Sequence, residues 1–143
     1  MEYSVGLDES ARRRDELQAD MAVMIDLAER DAVNDGLEVF YQTVHHAGPG
    51  NAITGAEALV RWGHENLGLL TPDLFVPLAE ECGLIHRLGN LLMKRACAVA
   101  MTWPADLFVA VNVSPSQLRR TGFVEEVLKI LCDTGLDPRR LEL

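Results

Sequence analysis

The sequence predicts an α/β fold in which a mostly parallel sheet is covered by helices. Stretches with the periodicity of strands alternate along the chain with stretches that have the periodicity of helices. Residues 107–114 form an almost continuous apolar run, as expected of a strand that is buried on both faces of a parallel sheet. These observations predict either an open doubly wound sheet or the start of a (β/α)₈ barrel, and periodicity does not decide between the two.

The chain opens with a predicted helix and a predicted hairpin. Apolar residues recur at helical spacing over residues 10–35, and Gly36 offers a stop for this helix. Residues 37–44 and 53–62 each have the composition of a strand. Because a short loop with glycine and proline joins them, we expect the two strands to pair as a hairpin.

The remaining elements alternate between helix and strand. Thr71 is a favourable N-cap and Pro72 suits a first helical position, so we expect a helix to begin there. After the hairpin we predict two helices, at residues 71–83 and 85–102, and then the apolar strand at residues 107–114. A helix at residues 124–134, which Gly135 stops, and a last strand at residues 141–143 follow. Neither G-x-G-x-x-G nor G-x-x-x-x-G-K-[ST] follows any of these strands, which argues against nucleotide binding of the Rossmann or P-loop type.

Composition and charge narrow the class of partner. With 143 residues, 48% of them hydrophobic, the chain is long enough for one globular domain with a real core. A formal net charge of -9 argues against binding of a nucleic-acid polymer, because no field of lysine and arginine is present to displace counterions. No apolar run reaches the roughly 20 residues that a membrane-spanning helix needs, so the chain has no predicted membrane segment.

Three cysteines, Cys82, Cys97 and Cys132, are too far apart for a Cys-x-x-Cys metal site and odd in number, which argues against a disulfide framework. Since their neighbours in sequence are apolar, we predict that all three are small core residues. Unpaired thiols of this kind are typical of a reducing compartment, which predicts a cytoplasmic protein.

Polar side chains stand near the carboxyl ends of two predicted strands, where α/β folds gather ligands. Glu57 lies in the second strand and Asn112 near the end of the apolar strand. Residues two and four apart in a strand share a face, so Leu59 and Arg61 should point the same way as Glu57. Carboxylate and amide oxygens suit Mg²⁺ or Mn²⁺, and an arginine beside them suits a phosphate.

From their spacing alone, a purely structural interpretation of the same residues is favoured. Glu57 and Arg61 would then form an ion pair, and Asn112 would cap the turn before Ser114. Neither a Glu-x-x-x-Arg spacing nor a single Asn-x-Ser is specific for a metal or phosphate site.

Longer motifs resemble a known family. Four segments in order resemble the successive signatures of the EAL domain, the cyclic di-GMP phosphodiesterase family: GAEALVRW, PDLFVPLAEECGLIHRLG, VAVNVSPSQL and TGLDPRRLEL. The resemblance runs from about Leu37 to Leu143 and includes FYQT, where the family usually has Tyr-Gln-Pro. It implies a TIM-like (β/α) barrel and metal-dependent hydrolysis of cyclic di-GMP to linear pGpG. A different α/β fold that shares these motifs by accident is the remaining alternative.

The resemblance also implies roles for individual residues. Glu57 and Asn112 match metal ligands of the family, with Mg²⁺ or Mn²⁺ as the cofactor. Gln42, Leu59 and Arg61 match positions that contact the bound dinucleotide. No catalytic lysine is assigned, because the family's later signatures, which include that lysine and further acidic metal ligands, are not in this sequence.

A complete barrel of this type takes about 250 residues, so the chain is expected to hold only its first half. We predict an N-terminal linker or cap helix over residues 1–36 and the N-terminal portion of an EAL domain over residues 37–143. The expectation is an incomplete and inactive fragment of a cyclic di-GMP phosphodiesterase that self-associates through its open barrel edge. The alternative is a catalytically inactive module that binds cyclic di-GMP or another protein.

Overall fold

The fold is built on one mixed sheet whose helices lie against a single face. A computed structural model describes residues 2–143, without the side chains of residues 2–5 and 7; Met1, the first residue of the predicted linker segment, lies outside the described residues. The elements in chain order are α1 (Glu2–Glu29), β1 (Leu37–His45), β2 (Ile53–His64), β3 (Gly68–Leu70), α2 (Pro72–Glu81), α3 (Ile85–Ala100), β4 (Phe108–Val111), α4 (Pro115–Arg119), α5 (Phe123–Thr134), a 3₁₀ turn (Pro138–Arg140) and β5 (Leu141–Glu142).

The strand order of the sheet is β1-β2-β4-β5, and β3 pairs with the carboxyl-terminal end of β2, at Trp62–His64. β1 and β2 form the predicted antiparallel hairpin, and β2, β4 and β5 run parallel to one another. β3 is a short antiparallel strand that was not predicted. The parallel pairing of β2, β4 and β5 and the antiparallel hairpin of β1 and β2 both agree with the prediction, and β3 is the addition to it.

The first helix, α1, begins and ends earlier than the span of residues 10–35 that the sequence predicted for it. The amide of Ala32 donates to the carbonyl of Leu27, and that of Asp31 donates to Ala28, at 3.0 and 3.1 Å. Asp31 has a positive φ of 54°, so these bonds form a Schellman motif with an aspartate in the position that glycine usually takes. Gly36 has a positive φ of 98° but only turns the chain into β1.

The hydrophobic core lies between the helices and one face of the sheet. α1 contributes Met21, Met24, Ile25 and Ala28 to it, and α2 contributes Phe75 and Ala79. From β2 come Ala58, Val60 and Trp62, each less than 9% exposed. The alternate residues of β2 are only partly buried, because no described helix covers that second face. None of the described helices combines the length and the apolar character that crossing a bilayer requires.

The helix boundaries at Gly83 and Gly135 agree with the prediction, and both glycines adopt a positive φ. Thr71 occupies the N-cap position of α2, but its hydroxyl makes no capping hydrogen bond. α3 ends at Ala100, two residues before the predicted end.

The cysteines differ from the prediction. Cys97 is fully buried in the core, whereas Cys82 and Cys132 are exposed. The prediction that all three are core residues is therefore wrong for two of them. Cys82 follows the last turn of α2, and Cys132 lies on the outer side of α5, so apolar neighbours in sequence did not imply burial.

Candidate functional site

Of the five residues singled out from the sequence, four lie in β1 and β2, and Asn112 directly follows β4. In the β1–β2 register, Gln42 lies directly opposite Glu57, and Phe40 lies opposite Leu59. Glu57 in turn pairs with Ala110 of β4, and Asn112 follows two positions later, just past the end of β4. Positions two apart share a face of a strand, so Asn112 extends the same face.

Glu57 and Asn112 are in direct contact. The amide Nδ2 of Asn112 donates to Oε1 of Glu57 at 2.7 Å. Glu57 is half-buried, whereas Asn112 is exposed, so the pair lies at the solvent boundary of the open face. The structure therefore brings together the two residues that matched metal ligands, although 55 positions separate them in sequence.

The geometry of this pair suits a divalent cation. An amide nitrogen and oxygen exchange places when the group turns by half a revolution, which would put Oδ1 of Asn112 beside the carboxylate. The 2.7 Å between the two atoms is about 0.3 Å shorter than the roughly 3.0 Å that separates neighbouring oxygens around an octahedral Mg²⁺ with bonds near 2.1 Å. Both groups are the hard oxygen donors that Mg²⁺ and Mn²⁺ prefer.

Arg61 does not pair with Glu57. None of the ion pairs among the described residues joins these two side chains, which removes the structural ion pair as an explanation for them. Arg61 Nη1 instead donates to the carbonyl of Val60 at 2.8 Å, and its Cζ lies 5.7 Å from the centre of the Phe40 ring. The charge of Arg61 thus faces the open side of the sheet.

The loop after β4 is fixed by a residue for which no role was predicted. Gln117 is only 4% exposed and is the N3 residue of a capping box at the start of α4. Its Oε1 accepts from the amide of Ser114 at 2.9 Å, while the Ser114 hydroxyl accepts from the amide of Gln117. Ser114, and not Asn112, therefore caps α4, which leaves the Asn112 side chain free for Glu57. The Ser-x-x-Gln spacing is a capping-box signal that could have revealed this.

A largely apolar cavity of about 430 Å³ lies between the sheet and the helices α2 and α3. Asn112 and Leu59 border it, together with Ala58 and Val60 of the core-facing side of β2 and Val76 of α2. Its volume lies in the range of small-molecule pockets. Among residues 2–143, no three histidine, cysteine, aspartate or glutamate side chains gather into a metal site. Glu57 and Asn112 together offer only part of the ligand shell of one ion.

Comparison with known proteins identifies a family. The profile described as "EAL domain" matches residues 26–143. An uncharacterised signalling protein of Caulobacter vibrioides is 41% identical over 138 residues, which cover 96% of this chain and 16% of that protein. A cyclic di-GMP phosphodiesterase of Pseudomonas aeruginosa is 31% identical over 144 residues, which cover 99% of this chain and 23% of that protein.

A solved structure gives the same result. The phosphodiesterase MucR in complex with c-di-GMP superposes with a TM-score of 0.70 at 34% identity. The match covers 82% of this chain and 47% of that one. The chain therefore spans about half of the solved phosphodiesterase domain and a smaller share of its longer relatives.

Proposed function

Since the chain belongs to the EAL domain family, we propose that it binds cyclic di-GMP at the open face of its sheet and contributes to hydrolysis of one phosphodiester bond, which yields linear pGpG. The observation that carries this proposal is the contact of Glu57, in the part of β2 that pairs with β4, with Asn112, which directly follows the carboxyl end of β4. Ligands of barrels and of open α/β sheets bind at this end.

In this proposal Glu57 and Asn112 hold a Mg²⁺ or Mn²⁺ ion. A divalent ion at this place supplies Lewis-acid polarisation of a phosphoryl oxygen and charge neutralisation. Glu57 contributes the negative charge that retains the cation, and Asn112 contributes a neutral oxygen. The capping box keeps the Asn112 loop in position, because it fixes Ser114, the N-cap of α4, which lies two residues after Asn112.

The other residues of the open face would hold the dinucleotide. Arg61 has a guanidinium that is free of carboxylate partners among the described ion pairs, so it is suited to a phosphate oxygen. Leu59 lies between Glu57 and Arg61 on the open face and offers an apolar surface against which a purine base would pack. Gln42 is exposed opposite Glu57 and offers an amide to the ligand.

Binding without turnover is the second candidate function. One observation favours it: the described residues bring only Glu57 and Asn112 together, whereas hydrolysis with two metal ions needs ligands for both ions and a positioned nucleophile. In that case the open face would sense cyclic di-GMP, or would bind another protein, and would not cleave the ligand.

One experiment separates the two functions. The protein is mixed with cyclic di-GMP and Mn²⁺, formation of pGpG is followed by chromatography, and the dissociation constant is measured by calorimetry with and without Mn²⁺. Hydrolysis that disappears in the variant Glu57→Gln supports the phosphodiesterase. Binding without pGpG supports the sensor, and absence of both contradicts the proposal as a whole.

Two further predictions from the sequence belong to this proposal. A cytoplasmic location is supported by three cysteines that are all free, as thiols are in a reducing compartment. Self-association is supported by the outer edge of β1, to which no strand among the described residues is paired.

A further inference from the structure

An exposed aromatic ring lies on the open face of the sheet, and the proposed function gives it no role. Phe40 of β1 is 44% exposed, whereas the residues on either side of it in the strand, Val39 and Tyr41, pack against the core. The register places Phe40 on the face that carries Gln42 and Glu57.

The contact that Phe40 makes is with Arg61. The guanidinium carbon of Arg61 lies 5.7 Å from the centre of the ring, within the about 6 Å over which a cation is attracted to an aromatic face. Phe40 is paired in register with Leu59, so Arg61 reaches it diagonally across the two strands. Diagonal neighbours on one face of an antiparallel pair are within reach of long side chains.

The nearest acidic residue in register does not hold Arg61. Glu38 lies directly opposite Arg61 in the β1–β2 pairing, where opposite charges commonly interact. The carboxylate of Glu38 instead turns toward Gly63, where Oε1 lies 3.3 Å from the position of an added Cβ. No ion pair between Glu38 and Arg61 occurs among the described residues. The neighbours that orient the guanidinium are therefore the aromatic ring and the carbonyl of Val60, and not a carboxylate.

This difference matters for an anionic ligand. A carboxylate partner would neutralise the guanidinium and occupy its N–H donors, so a phosphate would have to compete with it. A ring attracts the cation without accepting a hydrogen bond in the plane of the guanidinium, and it leaves the positive charge available. The only hydrogen bond described for Arg61, from Nη1 to the carbonyl of Val60, leaves the Nη2 and Nε donors for a ligand.

We propose that Phe40 is a positioning residue for the ligand, since its ring holds the Arg61 guanidinium in place to receive a phosphate of the cyclic dinucleotide. The inference rests on the proposed function, in which Arg61 meets that phosphate. Phe40 itself need not touch the ligand, so its effect passes through Arg61.

The first test uses a spectroscopic signature of the contact. A guanidinium above an aromatic ring experiences its ring current, so the Nε–Hε resonance of Arg61 in an NMR spectrum should be shifted upfield. The variant Phe40→Leu keeps the apolar bulk and should lose that shift, whereas Phe40→Tyr keeps a ring and should retain it. An Arg61 resonance that is the same in the protein and in Phe40→Leu overturns the proposal.

The second test measures the dissociation constant of cyclic di-GMP. Phe40→Leu should raise it about two- to thirtyfold, the range that the strength of exposed and desolvated cation–π contacts predicts, and Phe40→Tyr should restore it. Ile53→Ala removes another exposed apolar side chain from β2, far from Arg61 in the register, and should change nothing.

The outcomes separate this inference from the proposed function. If Arg61→Ala weakens binding and Phe40→Leu does not, the positioning role of Phe40 is wrong while the proposed function stands. If Arg61→Ala leaves binding unchanged, the phosphate role of Arg61 is wrong, and the positioning role is overturned with it.

Discussion

The amide of Asn112 donates to the carboxylate of Glu57 across two neighbouring parallel strands, with 2.7 Å between Nδ2 and Oε1. The contact depends on the register, because Glu57 pairs with Ala110 and Asn112 follows two positions later on the same face. A shift of β4 by one residue would turn the amide to the opposite face. The strand register and the cap of α4 therefore position the backbones of both residues so that their side chains meet.

The first prediction concerns metal binding by this pair. Glu57→Gln keeps the shape of the side chain but removes its charge, so the affinity for Mn²⁺ should fall more than about tenfold, since loss of outer-shell groups alone costs 10- to 100-fold. Asn112→Ala should weaken binding in the same direction. Titration of Mn²⁺ followed by electron paramagnetic resonance measures both. Glu38→Gln, an exposed glutamate of β1 on the same face, is the matched control and should retain the affinity of the unchanged protein.

The second prediction concerns Arg61. Loss of a charge-assisted hydrogen bond to a phosphate costs about 1.5 to 3 kcal/mol, so Arg61→Ala should weaken cyclic di-GMP binding about ten- to a hundredfold. Arg61→Lys keeps the charge without the planar fork and should fall in between. Calorimetry at two salt concentrations measures these changes, and Arg13→Ala on the exposed side of α1 is the control. Equal affinities of Arg61→Ala and Arg13→Ala would contradict a phosphate contact.

Much of the fold could be predicted because local patterns and tertiary packing agree. The hairpin, the apolar strand β4 and the helix ends at Gly83 and Gly135 all follow from turn residues and periodicity. The end of α1 could not be predicted in this way, because Asp31 takes a left-handed conformation that glycine usually takes. The core-facing side of α5 follows from helical spacing only in part: Leu131 is buried and Val127 packs against the core, whereas Val124 and Leu128 are exposed. Phe123 and Ile130 are buried as well.

The candidate site was predictable as a set of residues but not as a geometry. Periodicity placed Glu57, Leu59 and Arg61 on one face, and the structure agrees. Which of these side chains touch depends on strand order and register, and a single sequence does not specify either. The separation of Arg61 from Glu57 and its contact with Phe40 therefore emerged only from the structure.

A third prediction concerns the close approach of α3 and α4. A Cβ at Gly89 would lie 1.9 Å from Nε2 of Gln117, so alanine there must displace a buried side chain that also completes the α4 cap. Gly89→Ala should destabilise the protein by about 1 to 3 kcal/mol in urea denaturation. Adding Gln117→Ala should recover part of this loss, because the clash is removed. Gly6→Ala, where an added Cβ meets nothing within 4 Å, should not destabilise. Strictly additive changes would contradict the clash.

A fourth prediction concerns the segment that leads from α1 into β1. Arg95 of α3 pairs with Asp35 and donates from Nη1 to the carbonyl of Leu37 at 2.6 Å. The Asp35 side chain is only 8% exposed, so Arg95→Met would leave a nearly buried carboxylate without its cation. The free energy of unfolding should fall by about 2 to 3 kcal/mol, near the lower limit for breaking a buried pair. Arg139→Met breaks a pair that is open to solvent and should leave it unchanged.

The last prediction concerns the cysteines, which differ in environment. Burial raises the pKa of Cys97 to about 11 from an ordinary value of 9.0, whereas Cys82 and Cys132 are exposed. A thiol-specific reagent at pH 8 should therefore label two thiols in the native protein and the third only after denaturation. Because the folded pKa of Cys97 is raised, its contribution to stability is present below pH 9 and is lost as the pH rises toward 11. Burial also raises the pKa of Tyr41, which acts in the same direction, so Cys97→Ala should reduce the alkaline loss without abolishing it. Rapid labelling of all three thiols in the native protein would contradict the burial of Cys97.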